Sequence, residues 1–129
     1  MKKIIITGGF LLALFLLSSL HSYSQSLYFC EGVDEDGYAV SPSTTFTIKK
    51  SGGYLYALTR LPYEAECRSM RYVIYRNGEY DNTIYIDTER DWTWFWKKIT
   101  FYKSGDYTFY LYDCYDLVLA TKSLKINYR

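Results

Sequence analysis

Nowhere from Leu27 to Arg129 do apolar residues keep a helical spacing for the ten or so positions that a helix needs, which excludes a helical core. Short runs of β-branched and aromatic residues stand there instead, broken by the turn-forming stretches DEDG, SPS, SGG, RNGE, TERD and KSGD. This punctuation predicts strands over Leu27–Val33, Thr44–Lys49, Tyr54–Leu61, Met70–Arg76, Thr83–Asp87, Thr93–Tyr102, Tyr107–Asp113 and Val118–Tyr128. Strands so short and so evenly spaced, with no linker or repeat between them, predict one all-β domain, a sandwich or a small barrel.

The N-terminus differs from the rest. Lys2 and Lys3 precede an apolar run that ends near Leu20, followed by Ser22, Tyr23, Ser24 and Gln25. Charged, apolar and small-residue regions in that order predict a signal peptide over residues 1–24, cut before Gln25, and a mature domain over residues 25–129. The alternative is an uncleaved membrane anchor, because Ile4 to Leu20 is nearly long enough to span a bilayer. Cys30 follows Leu27, Tyr28 and Phe29, so the small residue that lipidation requires is absent. Removing Lys2 and Lys3 from the fifteen basic residues leaves thirteen against fourteen acidic ones, a net charge of −1 that gives no electrostatic reason to seek nucleic acid. Three cysteines, Cys30, Cys67 and Cys114, would reach a compartment that permits disulfides, and one pair with one leftover is the simplest account.

The piece ITFYKSGDYTFYLYD, Ile99 to Asp113, resembles the last strands of bacterial immunoglobulin-like domains of the polycystic-kidney-disease and fibronectin type III kind. In those families an apolar strand, a Gly turn and a Tyr opening the next strand form a tyrosine corner. Phe101, Gly105 and Tyr107 hold those places here, and Tyr107, Phe109 and Leu111 then alternate inward. The resemblance covers about the last third of the chain. It implies an immunoglobulin-like antiparallel sandwich of about seven to eight strands and implies no function. Two features depart from antibody domains: no cysteine pair occupies the expected strand interiors, and RYVIYR stands where the third strand usually carries a Trp. Laid on this outline, the loops holding Cys67 and Cys114 fall at one end of the sandwich. The outline therefore implies a Cys67–Cys114 disulfide first among the three possible pairings, with Cys30 a free or intermolecular thiol. The same end would collect Glu64, Glu66, Asp87, Glu89, Asp91, Asp113 and Asp116 beside Arg68 and Arg90.

The chemistry open to the chain is narrow. The one histidine, His21, lies in the predicted leader, so the mature chain lacks the usual general base and every histidine metal ligand. Cys67 beside Arg68 is a weak nucleophile candidate that a disulfide would consume. Carboxylate pairs at a loop pole lack a cleft to raise one pKa for glycoside hydrolysis. Asp34, Asp36 and Gly37 resemble the start of a calcium loop without its downstream bidentate Glu, and a hairpin turn closed by Asp-Gly accounts for them more simply. The expectation is a chain with no catalytic residue, no metal and no cofactor.

The stretch DWTWFWKK, Asp91 to Lys98, then decides what the aromatic residues do. Strict alternation puts Phe95, Ile99 and Phe101 inside and throws Trp92, Trp94 and Trp96 outward, but it also buries Lys97. A β-bulge at Lys97 and Lys98 removes that buried charge and moves Trp94 and Trp96 into the core, and this reading is preferred. On the next strand, Tyr110 and Tyr112 face out, joined by Tyr75 or Tyr72. The chain is thus expected to be a non-catalytic exported protein, periplasmic, surface-bound or extracellular, with a binding or structural role in a bacterial envelope. Its protein partner would dock on Trp92, Tyr110, Tyr112, Asp113 and Asp116. The alternative is a carbohydrate-binding module that uses an exposed row of Trp92, Trp94 and Trp96.

Overall fold

A computed structural model describes residues 26–129, so the predicted leader and its cleavage point lie outside the described residues. The described chain is all-β, with ten strands and no helix. One sheet joins β1 (Leu27–Cys30), β5 (Gly53–Arg60) and β8 (Trp94–Phe101), with β5 in the middle. The larger sheet runs β4 (Thr45–Ile48), β10 (Val118–Tyr128), β9 (Gly105–Tyr112), β6 (Ser69–Arg76), β7 (Glu79–Asp87). All neighbours are antiparallel except β4, which lies parallel to β10. A small hairpin of β2 (Gly32–Val33) and β3 (Ala39–Val40) pairs with neither sheet but lies against the smaller one.

Period-2 alternation builds the core. Leu27 and Phe29 from β1, Leu55 and Ala57 from β5, and Phe95, Ile99 and Phe101 from β8 face Met70, Tyr72, Ile74, Tyr107, Phe109, Leu111 and Leu124 of the larger sheet. Phe29 and Phe109 meet edge to face at 4.8 Å across the interface, and Phe101 meets Tyr107 at 4.9 Å. Burying each such ring is worth about 2 to 3 kcal/mol relative to leaving it in water. Between the sheets, Thr59 Oγ1 and the Tyr72 hydroxyl share a fully buried hydrogen bond of 2.6 Å. The Tyr107 hydroxyl donates to the Lys103 carbonyl at 2.7 Å, which pins the turn entering β9.

Two local devices set the register. Asn77 and Gly78 both have positive φ, 50° and 84°, which makes the two-residue turn that pairs Arg76 with Glu79 and starts β7 four residues earlier than the expected Thr83. The stretch read as one strand, Leu27 to Val33, breaks at Glu31 because Gly32 and Val33 leave the sheet to pair with β3.

The bulge expected at Lys97 and Lys98 is absent. Pairing of β5 with β8 runs without a break from Gly53 opposite Phe101 to Arg60 opposite Trp94. Strict alternation therefore holds, Trp94 is half-buried, and Trp96 is 48% exposed, outside the core. Lys97 keeps the inward phase yet stays exposed, because β8 forms the edge of its sheet and a four-carbon stem reaches water around the rim.

Candidate functional site

Three surfaces carry the residues singled out by the sequence. The outer face of the larger sheet comes first. Cross-strand pairing sets Tyr112, Arg71 and Tyr85 in one row, Tyr110, Val73 and Thr83 in the next, and Thr108, Tyr75 and Tyr80 in a third. Tyr75 lies 5.7 Å from Tyr110 and 6.1 Å from Tyr80, both edge to face. The Arg71 guanidinium lies over the Tyr112 ring at 4.5 Å and bridges to Asp116 at 3.0 Å. Tyr75 thus joins Tyr110 and Tyr112. Tyr72 does not, since its phase on β6 is inward and it is fully buried. Burial raises its pKa, against the lowering effect of the bond from Thr59.

The second surface is the end where Cys67 and Cys114 form a disulfide. Backbone bonds tie the Cys67 loop to the loop before β8, through Ala65 to Trp92 and Glu66 to Arg90, so Glu64, Glu66, Glu89 and Asp91 stand on two joined loops. Asp113 is placed differently from its expected outward role. It is only 8% exposed, and its Oδ1 accepts from the amides of Tyr115 and Leu117 at 2.8 and 2.9 Å, so it holds the β9–β10 turn together. Asp116 remains exposed and joins the tyrosine face through Arg71. Cys30, expected as a free or intermolecular thiol, is free but fully buried, with its Sγ 3.6 Å from the Tyr56 carbonyl, and so cannot reach another chain. Burial raises its pKa. Asp34 Oδ1 accepts from the amides of Asp36 and Tyr38, both at 2.9 Å, which makes the Asp34–Tyr38 segment a hairpin turn.

The third surface holds the tryptophans. An open groove of about 720 Å3 lies between β7 and β8, lined by Ile86 and Asp87 on one wall and by Asp91, Trp92, Phe95, Trp96 and Lys97 on the other. Trp94 also borders it, but its ring packs on Gly37, where a Cβ would collide with it. Trp96 stands edge to face with Tyr56 at 5.4 Å and 78°. The three indoles therefore form no flat row on which successive sugar rings could stack. Trp92, 40% exposed, sits in the loop before β8. Sequence reasoning missed this groove, because nothing local reveals that β7 and β8 end two different sheets on the same side.

No family model and no curated protein matches the chain. Among solved structures it is similar to a superoxide reductase (neelaredoxin) from Ignicoccus hospitalis, at 14% identity, covering 81% of this chain and 85% of that one, with a TM-score of 0.41. That neighbour is an enzyme, so the exclusion of catalysis drawn from the sequence is withdrawn. A likeness this distant carries no argument about activity in the present chain.

Proposed function

We propose that the chain is an exported, immunoglobulin-like binding protein of the bacterial envelope whose outer tyrosine face docks another protein. The observation that carries this reading is the contiguous face of Tyr75, Tyr80, Tyr85, Tyr110 and Tyr112 around Arg71. Aromatic residues and Arg are what protein interfaces favour at their centres, and a sheet face gives them a rigid, low-entropy frame. The immunoglobulin-like outline is supported by the strand order, with β1, β5 and β8 standing as strands A, B and E and β6, β9 and β10 as C, F and G. The bond from Tyr107 to Lys103 fits the tyrosine corner of that outline. The Cys67–Cys114 disulfide suits an oxidising compartment.

A photoreactive phenylalanine analogue in place of Tyr80, expressed in the native cell, tests the reading. Light should join it to a defined protein, and Arg71→Glu should remove that product. The same analogue at Tyr54, on the opposite face, should give none. Equal products from both positions would contradict the reading.

A further inference from the structure

The groove between β7 and β8 is more than a gap. Among the described residues β8 pairs with β5 alone and β7 with β6 alone, so both strands present a free main-chain edge to it. Free edges invite another strand, and folded proteins blunt them with charge or cover them. Here the blunting is uneven. Asp81 and Asn82 on β7, and Lys98 on β8, lie along the far part of the seam. The groove lies in the other part, where Ile86, Trp92, Phe95 and Trp96 give it apolar walls and Asp87 and Lys97 are the charges the strands contribute to its lining. Its wall is firm, because the Trp92 amide donates to Glu89 while the Trp92 and Thr93 carbonyls accept from Ala65 and Leu61. At its mouth stand the carboxylates of Asp87 and Asp91, both exposed and neither in an ion pair among the described residues.

We infer that this seam takes an extended peptide segment of a partner protein, which adds as a strand to the free edge of β8. One apolar side chain of that segment enters between Ile86, Trp92 and Phe95, and a basic one meets Asp87 and Asp91. Main-chain pairing supplies affinity, while the apolar slot and the carboxylates select the sequence. A glycan fits less well. Trp94 is covered by Gly37 and Trp96 is turned against Tyr56, so Trp92 alone could offer a ring face. The inference uses a different surface from the tyrosine face, so either can fail without the other.

The probe is a blocked peptide of about eight alternating valines and lysines, titrated into the isotope-labelled protein and followed by amide shifts. Two further versions are methylated at alternate backbone nitrogens, one in each phase. The parent peptide should bind at millimolar concentration or better and move the amides of residues 93–97. One methylated phase should abolish binding and the other should keep it, because only one set of amides faces the edge. Asp87→Lys with Asp91→Lys, both on exposed positions, should weaken binding about threefold to tenfold at low salt. The inference is overturned if the parent peptide does not bind, if both methylated peptides bind as well as it does, or if cellohexaose moves the same amides and the peptide does not.

Discussion

The two outer faces of this sandwich are made of similar residues and end in opposite conditions. On the larger sheet, Tyr75, Tyr80, Tyr85, Tyr110 and Tyr112 project in regular rows, and no strand among the described residues is layered on them. On the smaller sheet, Leu58 and Cys30 have the outward phase, yet both are fully buried, because the β2–β3 hairpin folds down beside them. Arg60 fastens that hairpin, donating to the Asp36 and Gly37 carbonyls and lying over the Tyr38 ring at 4.2 Å. The hairpin covers the Cys30 and Leu58 part of the smaller sheet's face and leaves Tyr54 and Trp96 exposed, whereas no strand among the described residues covers the tyrosine face. An aromatic run on a strand therefore says little about docking until the topology shows what lies above it.

The largest way to break this comparison removes the disulfide that ties the loop before β6 to the turn after β9. Cys67→Ser with Cys114→Ser opens a loop closed by cysteines 47 residues apart, and the chain-entropy relation puts the loss at about 4 kcal/mol. Urea unfolding of the two proteins measures it, with both faces lost together. Gly37→Val should cost about 2 to 3 kcal/mol, since Gly37 has a φ of 81° and lies on the Trp94 ring. Only the covered face should suffer. Cys30 should then react with a thiol reagent under native conditions, whereas the parent protein stays inert.

A smaller effect is expected between the sheets. Tyr72→Phe leaves the Thr59 hydroxyl buried without its partner and should cost about 1 to 2 kcal/mol. The same tyrosine gives a pH dependence. Its pKa is raised in the folded state by burial, so its contribution is intact below the ordinary tyrosine value of about 10 and is lost as pH rises through the folded value. Thermal unfolding above about pH 10 should fall more steeply with pH in the parent than in Tyr72→Phe. The smallest effect belongs to the open face. Tyr85→Ser and Tyr110→Ser should each change stability by about 0.5 kcal/mol or less while weakening the partner crosslink from Tyr80.

Much of the frame was legible because alternation and turn residues act locally. The strands over Tyr107–Asp113 and Val118–Tyr128, the DEDG and RNGE turns and the outward phase of Tyr110 and Tyr112 all follow from neighbours in sequence. The misreadings needed long-range facts. Lys97 looked like a buried charge that required a bulge, but β8 is an edge strand, and edges are properties of a sheet. Tyr72 shares the inward phase of Met70 and Ile74, which alternation alone indicates, but the partner that lets its hydroxyl be buried is Thr59, thirteen positions away. Asp113 was different, because the bonds from Tyr115 and Leu117 are local and the spacing in DCYDL could have indicated a turn.

The most direct test of the open-face account is hydroxyl-radical footprinting of the tyrosines, carried out on the purified protein and on intact cells. In the purified protein Tyr54, Tyr80, Tyr85 and Tyr102, all well exposed, should be labelled. In cells the account expects Tyr80 and Tyr85 to be protected, while Tyr54 and Tyr102 on the opposite side label as before. Equal labelling of all four in cells would contradict it.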